Sequence, residues 1–158
     1  MTAVIRAALD DRRRVDAVLL LNPDTLVLPG AIAAMAKFMA DHPNAGLVGS
    51  RLQDPDGTPH RTAHQYPSPL GELVEGARLG LLNRLFQRRV VSPPVTDEPV
   101  SCQWLSGASL LVRREVFEQV GLMDEGYFLY FEEVDLCRRD VEAGWPEGYV
   151  HAAREGQQ

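Results

Sequence analysis

The first long apolar run, Val15–Leu21 (VDAVLLL), is almost continuously hydrophobic. That pattern suits a strand buried on both faces, as in a parallel sheet covered by helices. Asn22-Pro23-Asp24-Thr25 ends it with turn chemistry. Pro29 suits the first turn of a helix, and Ile32, Met35, Ala36 and Met39 give that helix an apolar stripe. Asp41-His42-Pro43-Asn44 stops it. Gly46–Leu52 reads as a second strand, and Asp54-Pro55-Asp56-Gly57 as a tight turn. Strand, helix, strand in this order predicts an α/β fold.

Thr58–Pro69 is polar, carries prolines and histidines, and reads as a loop. Leu70–Arg89 has apolar positions at Leu70, Leu73, Val74, Ala77, Leu81 and Leu85 with arginines among them. It reads as a helix packed on the domain with solvated arginines, or as a basic amphipathic helix on a membrane surface. Gly71, Gly76 and Gly80 weaken the helical reading. Val100–Arg113 is strand-rich and broken at Ser106-Gly107, and Arg114–Val120 is a short helix closed by Gly121. An aromatic strand follows from Gly126. Val134, Cys137 and Val141 then recur at i, i+3 and i+7, which predicts a helix that starts with acids and ends at Gly144-Trp145-Pro146. The tail shows no readable element.

A length of 158 residues fits a single domain, and 45% hydrophobic with 24% charged residues is ordinary for a globular protein. A net charge of -6 argues against non-specific nucleic-acid binding. Cys102 and Cys137 form no CxxC motif and no disulfide framework, so a reducing cytoplasm is the expected compartment. No apolar run approaches the roughly 20 residues of a membrane span, and the start has no signal-peptide pattern.

Three segments can carry chemistry. Asn22-Pro23-Asp24 lies at the carboxyl end of a buried strand, where open α/β sheets bind ligands. A carboxylate there can take a divalent cation, and the same tripeptide also makes an ordinary strand-to-helix turn. Trp104-Leu105-Ser106-Gly107-Ala108 offers a ring to stack on a sugar, a hydroxyl and a flexible backbone; a bulged strand with a core Trp has the same residues. Glu132, Glu133 and Asp135 fall in the first turn of the last helix, where the dipole favours anions. One of them can serve as a general base, or all three can simply start a helix with Arg138 and Arg139 as solvated partners. No HExxH, GxSxG or EF-hand ladder is present, and the four histidines have no metal-ligand spacing.

In combination these motifs are specific. The order LLLNPDT, WLSGASLLVRREVF, VGLMDEGYFLYFEEVDLCRR and AGW resembles the family 2 glycosyltransferases of GT-A fold, nearest their rhamnosyltransferase-like branch, from about Ile5 to about Trp145. The resemblance implies a partial GT-A domain whose mixed, mostly parallel sheet is flanked by helices. It implies inverting transfer from a nucleotide-diphosphate sugar to a hydroxyl of a cell-envelope polysaccharide or glycolipid. Asp24 stands where the family carries its DxD-type acid and would help hold Mg2+ or Mn2+; Asn22 replaces the first acid. Trp104, Ser106 and Gly107 would line the substrate pocket. The family's acid pair falls on Glu132-Glu133, with Glu133 as base and Asp135 as second candidate.

The resemblance also implies that a nucleotide-binding strand and helix precede this segment and that a metal-site histidine follows it, a position His151 does not clearly match. The chain therefore reads as truncated at both ends. Self-association, an inactive fragment serving as an interaction module, and peripheral contact at the inner face of the membrane are the expectations that follow from exposed sheet surface and from Leu70–Arg89.

Overall fold

The computed structural model describes residues 2–11, 15–54, 56–60, 62–64, 102, 104–127, 131–146 and 148–157. In chain order these form α1 (Thr2–Asp10), β1 (Ala17–Leu21), β2 (Thr25–Val27), α2 (Ala31–Asp41), β3 (Leu47–Gln53), β4 (Ala63–His64), β5 (Trp104–Leu105), β6 (Ser109–Arg113), α3 (Arg114–Val120), α4 (Glu132–Glu142) and β7 (Gly148–Gln157). The anticipated helix over Leu70–Arg89 and the aromatic strand core, Phe128–Tyr130, lie outside the described residues.

Five strands form one sheet in the order β1-β6-β3-β7-β2, and β4 pairs with β5 in a small ribbon. The sheet is mixed, as expected. Its parallel pairing is β3 with β7, while β1–β6, β3–β6 and β2–β7 are antiparallel. The described part of the sheet is thus more antiparallel than the apolar run of β1 predicts. That run cannot distinguish the two, because an antiparallel strand covered on both faces is equally apolar. Here the strand with that property is β6, where Ser109–Val112 are all buried.

Alternation along the strands builds two cores. Leu47, Leu110 and Val112 point to one face, where they meet Ile5 of α1, Val116 and Phe117 of α3, and Leu136 and Cys137 of α4. Val48 and Leu111 point to the other face, against Ala31, Met35 and Met39 of α2. β1 contributes to both, Val18 and Leu20 on the first side and Ala17 and Leu19 on the second. Only Leu20 of that strand is fully buried, because β1 is at the edge of the described sheet. In α2 the buried stripe is Ala31, Met35 and Met39, with Ile32 and Ala36 exposed, one residue around the helix from the predicted face.

Three arginines fasten helix ends to their neighbours. Arg113 of β6 donates to the carbonyls of Met39, His42 and Ala45 at the end of α2. Arg114 donates to Leu9 O at the end of α1, and Arg139 to Val120 O and Leu122 O at the end of α3. Terminal carbonyls lack intrahelical partners, so a cation there satisfies them and complements the dipole.

The buried stripe of α4 differs from the predicted one. Leu136, Cys137 and Asp140 are buried, whereas Val141 is exposed and Val134 half-buried. Asp140 is fully buried against the backbone of Gly46, where an added Cβ would lie 2.6 Å from Asp140 Oδ1. Neither carboxylate oxygen has a hydrogen-bond partner among the described residues. Burial pushes its carboxyl up to about 7. Folded Asp140 keeps its proton up to that pH, while the unfolded chain releases it near 3.8. The folded state therefore loses stability as pH rises between those values, by at most about 4 kcal/mol. Asp140→Asn is expected to raise the melting temperature at pH 8 by roughly 3–10 °C. Thermal unfolding followed by circular dichroism should show that gain shrinking as pH falls towards 4; a gain equal at both ends would contradict it.

Candidate active site

The site forms where β1 ends and β6 begins, adjacent strands running in opposite directions. Asn22 leaves β1 and its N–H donates to Ala108 O at 3.0 Å. Thr25 N–H closes the turn on Asn22 O at 3.1 Å, and Thr25 Oγ1 donates to the same Ala108 carbonyl at 3.2 Å. The Asn22-Pro23-Asp24 turn and the Ser106-Gly107-Ala108 turn are thereby held on one acceptor. Ser106 Oγ steadies its own turn by accepting from Ala108 N–H at 3.4 Å.

Above these turns lies the start of α4. Phe131, the residue before the helix, has φ 70°, a left-handed conformation that costs a non-glycine residue free energy. Its carbonyl accepts the first helical bond, from Asp135 N–H at 2.9 Å. Glu132 and Glu133 follow directly and face the two turns. Glu133 packs on Gly107, where an added Cβ would stand 3.3 Å from both its Cβ and its Cγ.

Together these elements enclose a cleft of about 550 Å³. Asn22, Pro23 and Asp24 form one wall, Ser106, Gly107 and Ala108 the floor, and Glu132 and Glu133 the opposite side. Leu20 and Met123 add apolar surface, and Trp104 and His64 complete the lining. Of the eight residues expected at the site from the sequence, the structure gathers seven here. Asp135 is the exception. It points into a separate groove beside Tyr127, Phe131 and Val134, and pairs with Arg139 at 2.7 Å. Arg138 pairs with Glu142 at the solvent, while Arg139 also reaches the α3 carbonyls.

His64 belongs to the cleft although its loop position gave no sign of it. The signal became readable only through pairing: His64 lies opposite Trp104 in the β4–β5 ribbon, and the rings stack at 4.1 Å and 15°.

The carboxylates differ in environment. Burial holds the Glu133 carboxyl above the usual range; a backbone hydrogen bond offsets part of this, and the Glu132 charge adds to it. A buried carboxylate with a raised pKa is a better proton acceptor near neutral pH than an exposed one. Glu132 Oε2 is buried with no hydrogen-bond partner among the described residues. Asp24 is exposed to the cleft. Among the described residues no group of three or more His, Cys, Asp or Glu is placed to hold a metal ion by itself. An ion of the Mg2+ or Mn2+ type asks for less, one or two carboxylates with water and substrate phosphate completing its shell, and Asp24 offers one such carboxylate on the cleft wall.

An α/β domain with carboxylates at the carboxyl end of a strand and at a helix start has the layout of a ligand-binding cleft at a sheet edge. Comparison with known proteins makes that specific. The sequence profile of the glycosyltransferase like family 2 matches residues 2–155, and the chain belongs to that family. It is 39% identical over 145 residues to the N-acetylglucosaminyl-diphospho-decaprenol L-rhamnosyltransferase of Mycobacterium tuberculosis, covering 87% of this chain and 45% of that protein. It is 30% identical over 135 residues to the low-salt glycan biosynthesis hexosyltransferase Agl10 of Haloferax volcanii, covering 85% of this chain and 39% of the relative. Rhamnosyltransferase WbbL of Escherichia coli is 28% identical over 138 residues, 87% of this chain and 50% of WbbL. The chain thus spans half or less of the length of these relatives. The crystal structure of GalNAc-T7 with UDP, GalNAc and Mn2+ superposes with a TM-score of 0.62 at 14% identity, covering 99% of this chain and 30% of that one. That likeness establishes the GT-A fold. No helix among the described residues is long and apolar enough to cross a membrane.

The Gly107–Glu133 contact makes a prediction independent of activity. Gly107→Ala should destabilise the protein by about 1 kcal/mol through crowding of Glu133. In a Glu133→Ala background part of that cost should vanish, since Cγ and the carboxylate are gone while Cβ remains. Denaturant unfolding of the four proteins measures the coupling; additive costs would mean that the helix start does not rest on Gly107.

Proposed function

We propose that this chain forms the catalytic cleft of an inverting, metal-assisted glycosyltransferase. The observation that carries the reading is the meeting of Asp24 and Glu133 in one cleft, where the Ala108 carbonyl ties the Asp24 turn to the turn on which Glu133 packs. In this reading the donor is a nucleotide-diphosphate sugar and the acceptor a hydroxyl of a cell-envelope glycan or glycolipid. The names of two relatives support a rhamnosyl donor as the first to test, and one of them supports a sugar carried on a diphospho-polyprenol as the first acceptor.

Glu133 takes the proton of the acceptor hydroxyl as that oxygen bonds to the anomeric carbon. The bond from that carbon to the diphosphate oxygen breaks on the opposite face, and the nucleoside diphosphate leaves with the electron pair. Attack opposite to departure inverts the configuration. The apolar side of the cleft limits water, which would otherwise compete as acceptor. Trp104, Ser106 and Gly107 position the sugar, by ring contact, hydroxyl and close backbone approach. Asp24, with Asn22 beside it, would hold Mg2+ or Mn2+. When bound, such an ion supplies positive charge that offsets the charge on the diphosphate.

Glu133→Gln should lower kcat by about 10²–10⁴-fold, the usual range for losing a general base, while leaving nucleotide-sugar binding within a few-fold of wild type. Asp24→Ala should instead abolish the Mn2+-dependent part of binding seen by calorimetry. Because Glu133 must be ionised, the rate should rise with pH through a pKa above its usual 4.5. Glu132→Gln removes the like charge beside it, so the acid limb should move to lower pH; a move upward would refute the assignment. Half-length relative coverage makes a binding module without turnover the second reading. It gains if wild type binds nucleotide sugar yet transfers nothing to any acceptor or to water.

A further inference from the structure

The described ionisable side chains that line the cleft are Asp24, Glu132, Glu133 and His64. Three are acids, and the proposed donor is itself polyanionic. Even a divalent ion at Asp24 leaves such a cleft negative when all three carboxylates are ionised. His64 is the one described lining side chain able to bear positive charge.

Its placement is built rather than incidental. β4 is held on the sheet by Thr62, whose Oγ1 donates to Ser50 O at 3.0 Å and whose carbonyl accepts from Ser106 N–H at 2.9 Å. Thr62 and Leu105 are buried, so the ribbon is anchored beneath the two rings. The imidazole lies flat on the Trp104 indole. Contact through ring faces leaves hydrogen bonding to the ring edge.

We propose that His64 is a donor-binding residue that recognises the diphosphate of the nucleotide sugar, donating a charge-assisted hydrogen bond to it from the Trp104 platform. This rests on the transferase reading above and adds a second cationic group to it. It also gives the His64–Trp104 stack one purpose: Trp104 fixes the ring that meets the phosphates while presenting its own edge to the sugar.

The test is calorimetric binding of UDP and dTDP, and of UMP and dTMP, at fixed pH with Mn2+, to wild type, His64→Phe and His64→Lys. The Phe variant keeps a flat ring on Trp104 and removes the donor. It should lose roughly tenfold in diphosphate affinity, the worth of one charge-assisted bond, and clearly less in monophosphate affinity. The Lys variant should recover part of the diphosphate affinity. His64→Gln is measured alongside, so that a folding defect in the Phe variant does not decide the outcome. Equal diphosphate affinity in wild type and His64→Phe, or equal losses for mono- and diphosphates, overturns the role of His64 and leaves the transferase reading standing. Absence of any diphosphate binding to wild type overturns both.

Discussion

The carbonyl of Ala108 is the point on which the site depends. It accepts from the backbone of Asn22 and from the hydroxyl of Thr25, and so holds two turns from opposite strands at one place. Both strands are fixed by the sheet behind them, β6 by burial of Ser109–Val112 and β1 by five paired residues. Rigid strands with functional turns at their ends are the usual way an α/β sheet presents a ligand site. Gly107, beside Ala108, lets Glu133 pack close, where an added Cβ would stand 3.3 Å from its Cβ and Cγ. One acceptor and one missing side chain set the distance between the two walls of the cleft.

The helix opposite is unusual in what it buries. Its inward face runs from Glu133 through Leu136 and Cys137 to Asp140, so an apolar turn is bracketed by two desolvated carboxyls. The two have different consequences. Glu133 opens on the cleft, where a raised pKa suits proton transfer. Asp140 lines no cleft among the described residues, and its burial against Gly46 is a cost that the packing around Val116 and Leu136 must carry. The left-handed Phe131 and the Glu132 oxygen that has no partner among the described residues add to the stored cost at the helix start. Strain and buried polar groups concentrated at one helix are common where binding energy has a use for them.

Much of this was legible in the residues. Turn chemistry at Asn22–Thr25, the break at Ser106-Gly107 and the glycine closing α3 all appear where local rules place them. The acids of α4 were visible as a first turn for the same reason. Other features depend on distant contacts. The stripe of α4 escapes a hydrophobic period because its buried positions include an acid, Asp140, which such a period cannot count. β7 pairs between β3 and β2, yet GYVHAAREGQ has neither alternation nor an apolar run. His64 reads as a loop residue until its partner strand, forty positions away, is brought beside it. The separation of Asp135 from its neighbours follows from helical geometry together with Arg139, a pairing that local charge patterns allow but do not require.

The central claim is that the Asn22–Thr25 turn, the Ser106–Ala108 turn and the start of α4 form a single metal-dependent nucleotide site. Paramagnetic broadening of backbone amide signals by Mn2+ added with a nucleoside diphosphate tests it directly. The account predicts broadening centred on residues 22–25, 104–108 and 132–134, reduced by substitution of Asp24. Broadening centred on any other surface, or unchanged without the Asp24 carboxylate, would contradict it.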